Sequence, residues 1–455
     1  MIRPRILNAI ERKVIILLGD LFIIISSLNV FLNDALDEKV EPLSYRIGFY
    51  VAGVLLYLFL SYILDFYNLE KSIKRRIVFK QSFYIVGSFV LLIFIGTVIF
   101  FDASFWRIPL IVFLVLTPFG VFMWRIFFRS LFNIIPATKN VLYIHDYSDK
   151  KSQEKFIGLI DGVGIQTYYK TKLTFSLDNI QFLQKGKFID ALDKVDSFVL
   201  NLQNYDKLSL ELENILLNAI LRGKEVISFT SFYENIYEAL PIESHNDSFY
   251  EIMQLKNLKI RYFQEIFTFI VNWILVLLVG IVFILVLPFV FVLNLFLNKG
   301  PLFYKQKRVG QYGKEFTIYK FRSMVVDAEK SGAKMATKND SRITAFGKTL
   351  RVFRIDELPQ IISVAKGDMQ FIGPRPERKV FVDQLNKIIP FYNARHLIKP
   401  GITGWAQVKY KYGENLEDSI KKLEYDLYYI KNKSIMLDIR IVFKTITTVL
   451  FSRGI

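Results

Sequence analysis

Cysteine is absent from the sequence, and histidine occurs three times. The first absence excludes disulfides, thiolate nucleophiles and the common cysteine-ligated zinc sites. His145, His245 and His396 are scattered without metal-ligand spacing, so a zinc hydrolase is not expected. Negative charge is also scarce: 42 Asp and Glu stand against 59 Lys and Arg, a formal net charge of +17. That excess suits anionic lipid headgroups, nucleic acid or phosphorylated substrates, and charge alone does not choose among them. A small-residue cleavage site is missing after the basic start at Arg3, Arg5, Arg12 and Lys13. The apolar run that follows reads as a membrane anchor rather than a removable leader.

What the chain has in abundance is apolar length. At 455 residues it exceeds one typical domain, and 52% of it is hydrophobic, which points to a membrane component. Four apolar stretches, roughly 14–32, 46–68, 79–101 and 105–128, approach the ~20 residues that span a bilayer core. The basic N-terminus, the acidic loop with Asp34, Asp37, Glu38 and Glu41, and the basic loop from Lys71 to Lys80 place both ends of this bundle in the cytoplasm. Asp20, inside the first stretch, needs a partner to persist there; a packing role and a catalytic one both remain open.

From about 137 to 258 short β-type runs (Val141–Ile144, Ser197–Leu200, Glu225–Phe229) alternate with helical patterns, notably 207–222, which predicts a small parallel sheet. The first strand is followed by His145-Asp146-Tyr147-Ser148-Asp149, without a glycine to cradle a phosphate, so a dinucleotide site of the usual kind is not expected. A hydrophobic segment over 266–297 has cations at both ends: Lys256, Lys259 and Arg261 before it, Lys299, Lys305, Lys307 and Arg308 after it. A simple span carries such charge mainly on one side. The spacing predicts a helix that enters from the cytoplasm, breaks at Pro288 and returns to the same face; a fifth ordinary span is the alternative.

The remaining segment, 299–455, carries the candidate chemistry. Lys348, Arg351 and Arg354 recur at helical spacing just before Asp356-Glu357, with Pro359 following. A cationic face beside two carboxylates can hold a diphosphate, a divalent cation and an attacking oxygen together; a solvated charged helix end fits these residues equally well. Gly373-Pro374-Arg375-Pro376-Glu377 sets an arginine on a turn stiffened by two prolines, either a phosphate-binding device or a structural corner. Tyr319 to Met324 alternates like a half-buried strand and offers Lys320 and Arg322. The last helical stretch, 434–452, is interrupted by Asp438, Arg440 and Lys444 and suits a surface rather than a span.

These motifs, with Gln306-Lys307-Arg308-Val309-Gly310 before them and Lys399-Pro400-Gly401-Ile402-Thr403-Gly404-Trp405-Ala406-Gln407-Val408 after them, closely resemble in order the bacterial polyprenyl glycosylphosphotransferases. The resemblance is dense over about 299–450. It implies a membrane protein of α plus α/β class: a four-helix transmembrane bundle (1–136), a degenerate Rossmann-like cytosolic domain without a nucleotide fingerprint (137–258), a re-entrant membrane helix (259–298) and a compact, mostly helical catalytic domain (299–455). The implied reaction moves a sugar 1-phosphate from a UDP-sugar to undecaprenyl phosphate with loss of UMP, the first membrane step of exopolysaccharide, capsule or O-antigen synthesis.

By the same resemblance Asp356 is the nucleophile of a ping-pong sequence, Glu357 holds Mg²⁺, and Arg351 and Arg375, with Lys320 and Arg322, bind phosphate. The implied setting is the cytoplasmic face of the bacterial inner membrane, among lipid and without nucleic acid. A homodimer and polysaccharide-assembly enzymes are partners it allows. The sequence departs from the pattern at the start of the membrane helix, where Gln264 and Glu265 stand, and at Leu287, where a serine often precedes the proline. A UDP-releasing glycosyltransferase and a non-enzymatic membrane scaffold are the competing readings.

Overall fold

The computed structural model describes residues 9–35, 43–63, 66–67, 75–100, 107–132, 139–146, 169–177, 194–202, 208–242, 258–298, 300–326, 328, 340–410 and 415–450. The chain divides into two compact units, Met1–Phe229 and Thr230–Ile455.

The first unit opens with four helices: α1 (Ala9–Ala35), α2 (Leu43–Ile63), α3 (Arg75–Phe100) and α4 (Arg107–Phe132). Helix α1 packs on α4, α4 on α3, and α3 on α2. Ile24, Leu28, Tyr57, Phe89 and Val121 are buried between them, while Leu18, Phe22, Leu55 and Leu116 remain exposed. Asp20 has its partners. Its carboxylate accepts from Arg125 Nη2 at 2.5 Å and from the Tyr67 hydroxyl at 2.9 Å, and the guanidinium lies 3.4 Å over the Phe66 ring. The packing role open to Asp20 is the one the structure fills.

Parallel strands β1 (Lys139–His145), β2 (Tyr169–Ser176), β3 (Ser197–Asn201) and β4 (Glu225–Ser228) follow, in the order β2-β1-β3-β4. Val141, Leu142, Ile144 and Phe198 to Leu200 are buried, as β-branched and aromatic runs in a parallel sheet require. Helix α5 (Leu210–Leu221) starts where Ser209 Oγ accepts the Leu212 amide, and it buries Leu212, Leu216 and Ala219. The glycine-free turn after β1 lies, from Tyr147 to Asp149, outside the described residues.

In the second unit α6 (Phe229–Tyr237) leads to α7, a single 40-residue helix over Leu258–Leu297. Pro288 stands inside α7 and does not end it, so the break expected there is not a helix terminus, and any change of direction falls within a helix that continues to Leu297. The proline removes one donor to the Ile284 carbonyl, and Leu287 and Val290 on either side pack with Phe321 and Leu350. Among the described residues, Lys13–Phe31 and Glu265–Leu297 are long and apolar enough to cross a membrane; Tyr50–Tyr62, Val78–Ile93 and Phe113–Phe128 are shorter apolar helices.

After α7 come the antiparallel hairpin β5 (Phe303–Val309) and β6 (Glu315–Phe321), helix α8 (Ala345–Val352), a 3₁₀ turn (Ile355–Gln360), α9 (Ile361–Ala365), β7 (Gln370–Ile372), α10 (Lys379–Ile388), β8 (Gly401–Thr403), α11 (Trp405–Lys409), α12 (Leu416–Asn432) and α13 (Ile435–Leu450). Pro359 falls within the 3₁₀ turn and the chain stays helical into α9, so the proline does not terminate the segment. The parallel pair β7–β8 brings Gly373 against Gly401; a Cβ on Gly401 would collide with the Gly373 backbone, which accounts for glycine in both motifs. Trp405, fully buried, centres the main core with Leu423, Leu427, Tyr429 and Ile441.

The second unit begins earlier than composition suggests. Leu240 and Ile242 belong to the Trp405 core, and the Leu240 amide donates to the Glu424 carbonyl at 3.0 Å. Residues 230–242 therefore belong to the second unit rather than to the sheet domain expected over 137–258.

Candidate active site

The acidic pair sits on the 3₁₀ turn. Helix α8 ends at Val352, Phe353 caps it, and Arg354 takes a left-handed conformation at φ 57° that reverses the chain into Ile355. Asp356 and Glu357 follow at once, 6% and 9% exposed. The cationic face expected of one helix is thus broken: Lys348 is exposed on α8, and Arg354 reaches Glu357 from beyond the helix end.

Glu357 is the anchor. Its Oε1 accepts from Arg375 Nη2 at 2.6 Å and Lys320 Nζ at 3.1 Å, and it pairs with Arg354 Nη1 at 3.5 Å. Burial pushes its carboxyl upward, but Arg375, Lys320 and Arg354 together outweigh that and hold it well below the usual carboxylate range. Asp356 differs. Burial raises its carboxyl above the ordinary value, Lys320 opposes the rise, and the Glu357 charge adds to it. Its Oδ1 is buried and, among the described residues, accepts no hydrogen bond. Two adjacent carboxylates therefore carry unlike burdens, one neutralised by three cations and one with an oxygen uncommitted.

Each cation is delivered by a different element. Lys320 comes from β6, where Ile318 and Phe321 anchor the strand in the core. Burial lowers the Lys320 ammonium and Glu357 counters the fall. Arg351, on the last turn of α8, donates Nε to Ser323 Oγ at 2.9 Å and acts on Asp356 through its charge. Gly347, one turn earlier, lies so close to the Ser323 carbonyl that no side chain fits, and this contact fixes α8 against the end of β6. Arg375 comes from the two-proline turn.

Arg322 is not brought to the pair. Strand β6 stops at Phe321, so the alternation that would align Arg322 with Lys320 ends one residue too soon. Its backbone is tied to Leu302 and Asn298, its guanidinium lies by Gly300, and among the described residues it makes no ion pair with either carboxylate. Sequence reasoning missed Arg354 as a direct partner of Glu357, and it missed the buried Arg395, which reaches the proline turn from a segment distant in sequence. Only the first carried a signal, since Arg354 lies three residues before Glu357.

Among the described residues no group of three or more His, Asp or Glu side chains could hold a metal. The two carboxylates still fit a hard cation that arrives with a phosphate: among the described residues Asp356 Oδ1 has no hydrogen-bond partner, and the Glu357 beside it is held ionised by its cations. Magnesium is commonly held by one or two carboxylates, waters and substrate phosphates. Lys320, Arg351, Arg354 and Arg375 against two acids leave a positive excess that suits a diphosphate.

A family model described as bacterial sugar transferase matches residues 263–452. The chain is 52% identical over 34% of its length to a UDP-N-acetylgalactosamine-undecaprenyl-phosphate N-acetylgalactosaminephosphotransferase of Aeromonas hydrophila, covering 37% of that protein. It is 48% identical over 34% of its length to a UDP-glucose:undecaprenyl-phosphate glucose-1-phosphate transferase of Xanthomonas campestris pv. campestris, covering 32% of it. The chain thus spans only about a third of these two relatives. It is 38% identical to the exopolysaccharide production protein PSS of Rhizobium leguminosarum bv. phaseoli, over 34% of the chain and 81% of that relative. With its acidic pair, its cations and these relatives in one segment, the chain belongs to the bacterial sugar transferase family, whose polyprenyl glycosylphosphotransferases its motifs resemble.

Proposed function

We propose that this protein transfers a sugar 1-phosphate from a UDP-sugar to undecaprenyl phosphate, releasing UMP and initiating synthesis of a surface polysaccharide. One observation carries the reading: among the described residues Asp356 keeps a buried oxygen without a hydrogen-bond partner while the Glu357 beside it absorbs three cations. An uncommitted carboxylate oxygen in a cationic ring is what a covalent phosphoryl acceptor requires. In the first step Asp356 Oδ1 forms a bond to the sugar-bearing phosphorus as the bond to UMP breaks, and the leaving phosphate takes the electron pair. In the second, an oxygen of the lipid phosphate attacks the same phosphorus and the Asp356 carboxylate is released.

Arg375, Lys320 and Arg351 supply the charge that offsets the diphosphate. Glu357 would hold Mg²⁺, which would supply Lewis acidity toward the departing phosphate when bound. The four helices of the first unit act as a transmembrane bundle, and the parallel sheet as a Rossmann-like cytosolic domain. The second unit works at the cytoplasmic surface of the inner membrane, where a soluble nucleotide sugar meets a lipid phosphate.

The relatives' names divide between N-acetylgalactosamine and glucose, so the test presents a panel of UDP-sugars, both included, with undecaprenyl phosphate and membranes carrying the protein. UMP and a polyprenyl-diphosphosugar are the expected products. Release of UDP would favour a glycosyltransferase, and no product with any sugar would favour a scaffold.

A further inference from the structure

We infer that Arg395, with Asp426 as its counterion, is a positioning residue for Arg375: it fixes the proline turn from behind and thereby sets the guanidinium that meets Glu357. The inference rests on the phosphate-binding role given above to Arg375.

Four successive carbonyls of this turn are held from three parts of the unit. Pro374 O accepts from the Gly401 amide at 2.9 Å, Arg375 O from Arg395 Nη2 at 3.0 Å, Pro376 O from Arg308 Nη1 at 3.1 Å, and Glu377 O from the Val309 amide at 2.8 Å. Residues 374 and 376, as prolines, have no amide to donate, so the turn is located chiefly by what its carbonyls accept. Of the four anchors, the one on Arg375 itself is a buried side chain.

Arg395 is 7% exposed and Asp426 2%. The Arg395 fork divides its donors: Nη2 also donates to Asp426 Oδ2 at 2.9 Å, and Nη1 donates to the Tyr392 hydroxyl at 2.5 Å. A buried ion pair is weak evidence for stability as such, because desolvation consumes most of the attraction. Its product here is geometric. A planar guanidinium fixed at two points can direct its remaining donor at one carbonyl, which the single ammonium of lysine cannot reproduce. On the other side of that peptide Arg375 Nη2 stands 2.6 Å from Glu357 Oε1.

The test is a double-mutant cycle in the full chain: wild type, Arg395→Met, Arg375→Ala and both together. UMP release is measured in membranes, and binding of inorganic pyrophosphate to the detergent-purified proteins by calorimetry. Arg395→Met should lower kcat/KM for the UDP-sugar by about 10- to 100-fold, the cost of a misplacement near 1 Å, yet cost less than about 3-fold in the Arg375→Ala background. Equal losses in both backgrounds would overturn the inference, because Arg395 would then act on the fold or on another group.

If wild type releases no UMP, the transferase reading fails by itself and pyrophosphate decides: Arg395→Met should weaken binding as Arg375→Ala does, with no further loss in the double variant. Wild-type pyrophosphate affinity in Arg395→Met, or no binding by wild type, would overturn positioning. Where Arg395→Met does not accumulate as folded protein, Arg395→Lys keeps the charge opposite Asp426 and should still lose activity; full activity in it refutes the role.

Discussion

At the residue scale the site separates two acids that are neighbours in sequence. Asp356, raised by burial, is expected to set the acid limb of turnover, which should lie above the ordinary aspartate value of 3.8 because the neutral form gains as pH falls. Lys320→Met removes a charge that favours the ionised form and should move that limb upward. Glu357→Gln removes a charge that disfavours it and should move the limb downward, while slowing turnover and raising the Mg²⁺ concentration needed for half-maximal rate. A pH–rate profile of UMP release reads these shifts, and a limb that stays put in both variants assigns it to another group. Asp356→Asn should abolish transfer while the protein stays folded and membrane-bound; substantial residual turnover would show a different nucleophile.

At the scale of elements, the strap from Thr230 to Ile242 joins the catalytic unit more firmly than its place in the chain suggests. Glu234 accepts from Lys431 at 2.7 Å, the Tyr233 hydroxyl donates to Glu424 at 2.7 Å, and Glu238 pairs with Arg440 at 2.9 Å and with Lys409. Leu240, 2% exposed in the Trp405 core, is the apolar end of this attachment. Leu240→Ala should destabilise the catalytic unit by about 2–5 kcal/mol, whereas Leu210→Ala, at a position 79% exposed, should change stability by less than ~0.5 kcal/mol. Pulse proteolysis of the purified protein across a denaturant series measures both. The strap could not be read from the sequence, because its partners lie far along the chain and composition changes only after it. Lys320, Asp356, Glu357 and Arg375 could be read, since each stands in a compact motif. Arg322 is not brought to the pair because its strand ends one residue early, and Arg354 reaches Glu357 from beyond a helix that stops before it. Period and spacing describe an element's interior; here the chemistry depends on where elements stop.

At the scale of the whole molecule, α7 decides how the second unit meets the membrane. A straight helix over Glu265–Leu297 would run about 50 Å at 1.5 Å per residue, more than the ~30 Å of hydrocarbon. Ile266, Phe269, Ile270, Trp273, Leu277 and Phe289 are exposed along it. Its other side is occupied almost throughout: Asn272 Oδ1 accepts the Phe371 amide at 2.9 Å, Val276 packs with Ile318 and Met369, Phe283 and Val290 pack with Phe321 and Leu350, and Asn298 donates to the Arg322 carbonyl at 2.7 Å. A polar unit bound along a helix from Asn272 to Asn298 would be drawn across the hydrocarbon if that helix spanned it, with Lys320, Arg375 and Asp356 buried in lipid at several kcal/mol for each unpaired polar group. Entry and return on one face avoids that cost, and it agrees with the cations at both ends of the segment. A chain without cysteine makes the test direct. Single cysteines at Lys307, whose side chain is 78% exposed, and at Tyr312, 72% exposed, should resist a membrane-impermeant maleimide in intact cells and react after permeabilisation. A cysteine at Glu38 in the acidic loop should react from outside in the same cells and serves as the control. Reaction of Lys307→Cys from outside would put the catalytic unit across the membrane and remove the re-entrant helix from the account.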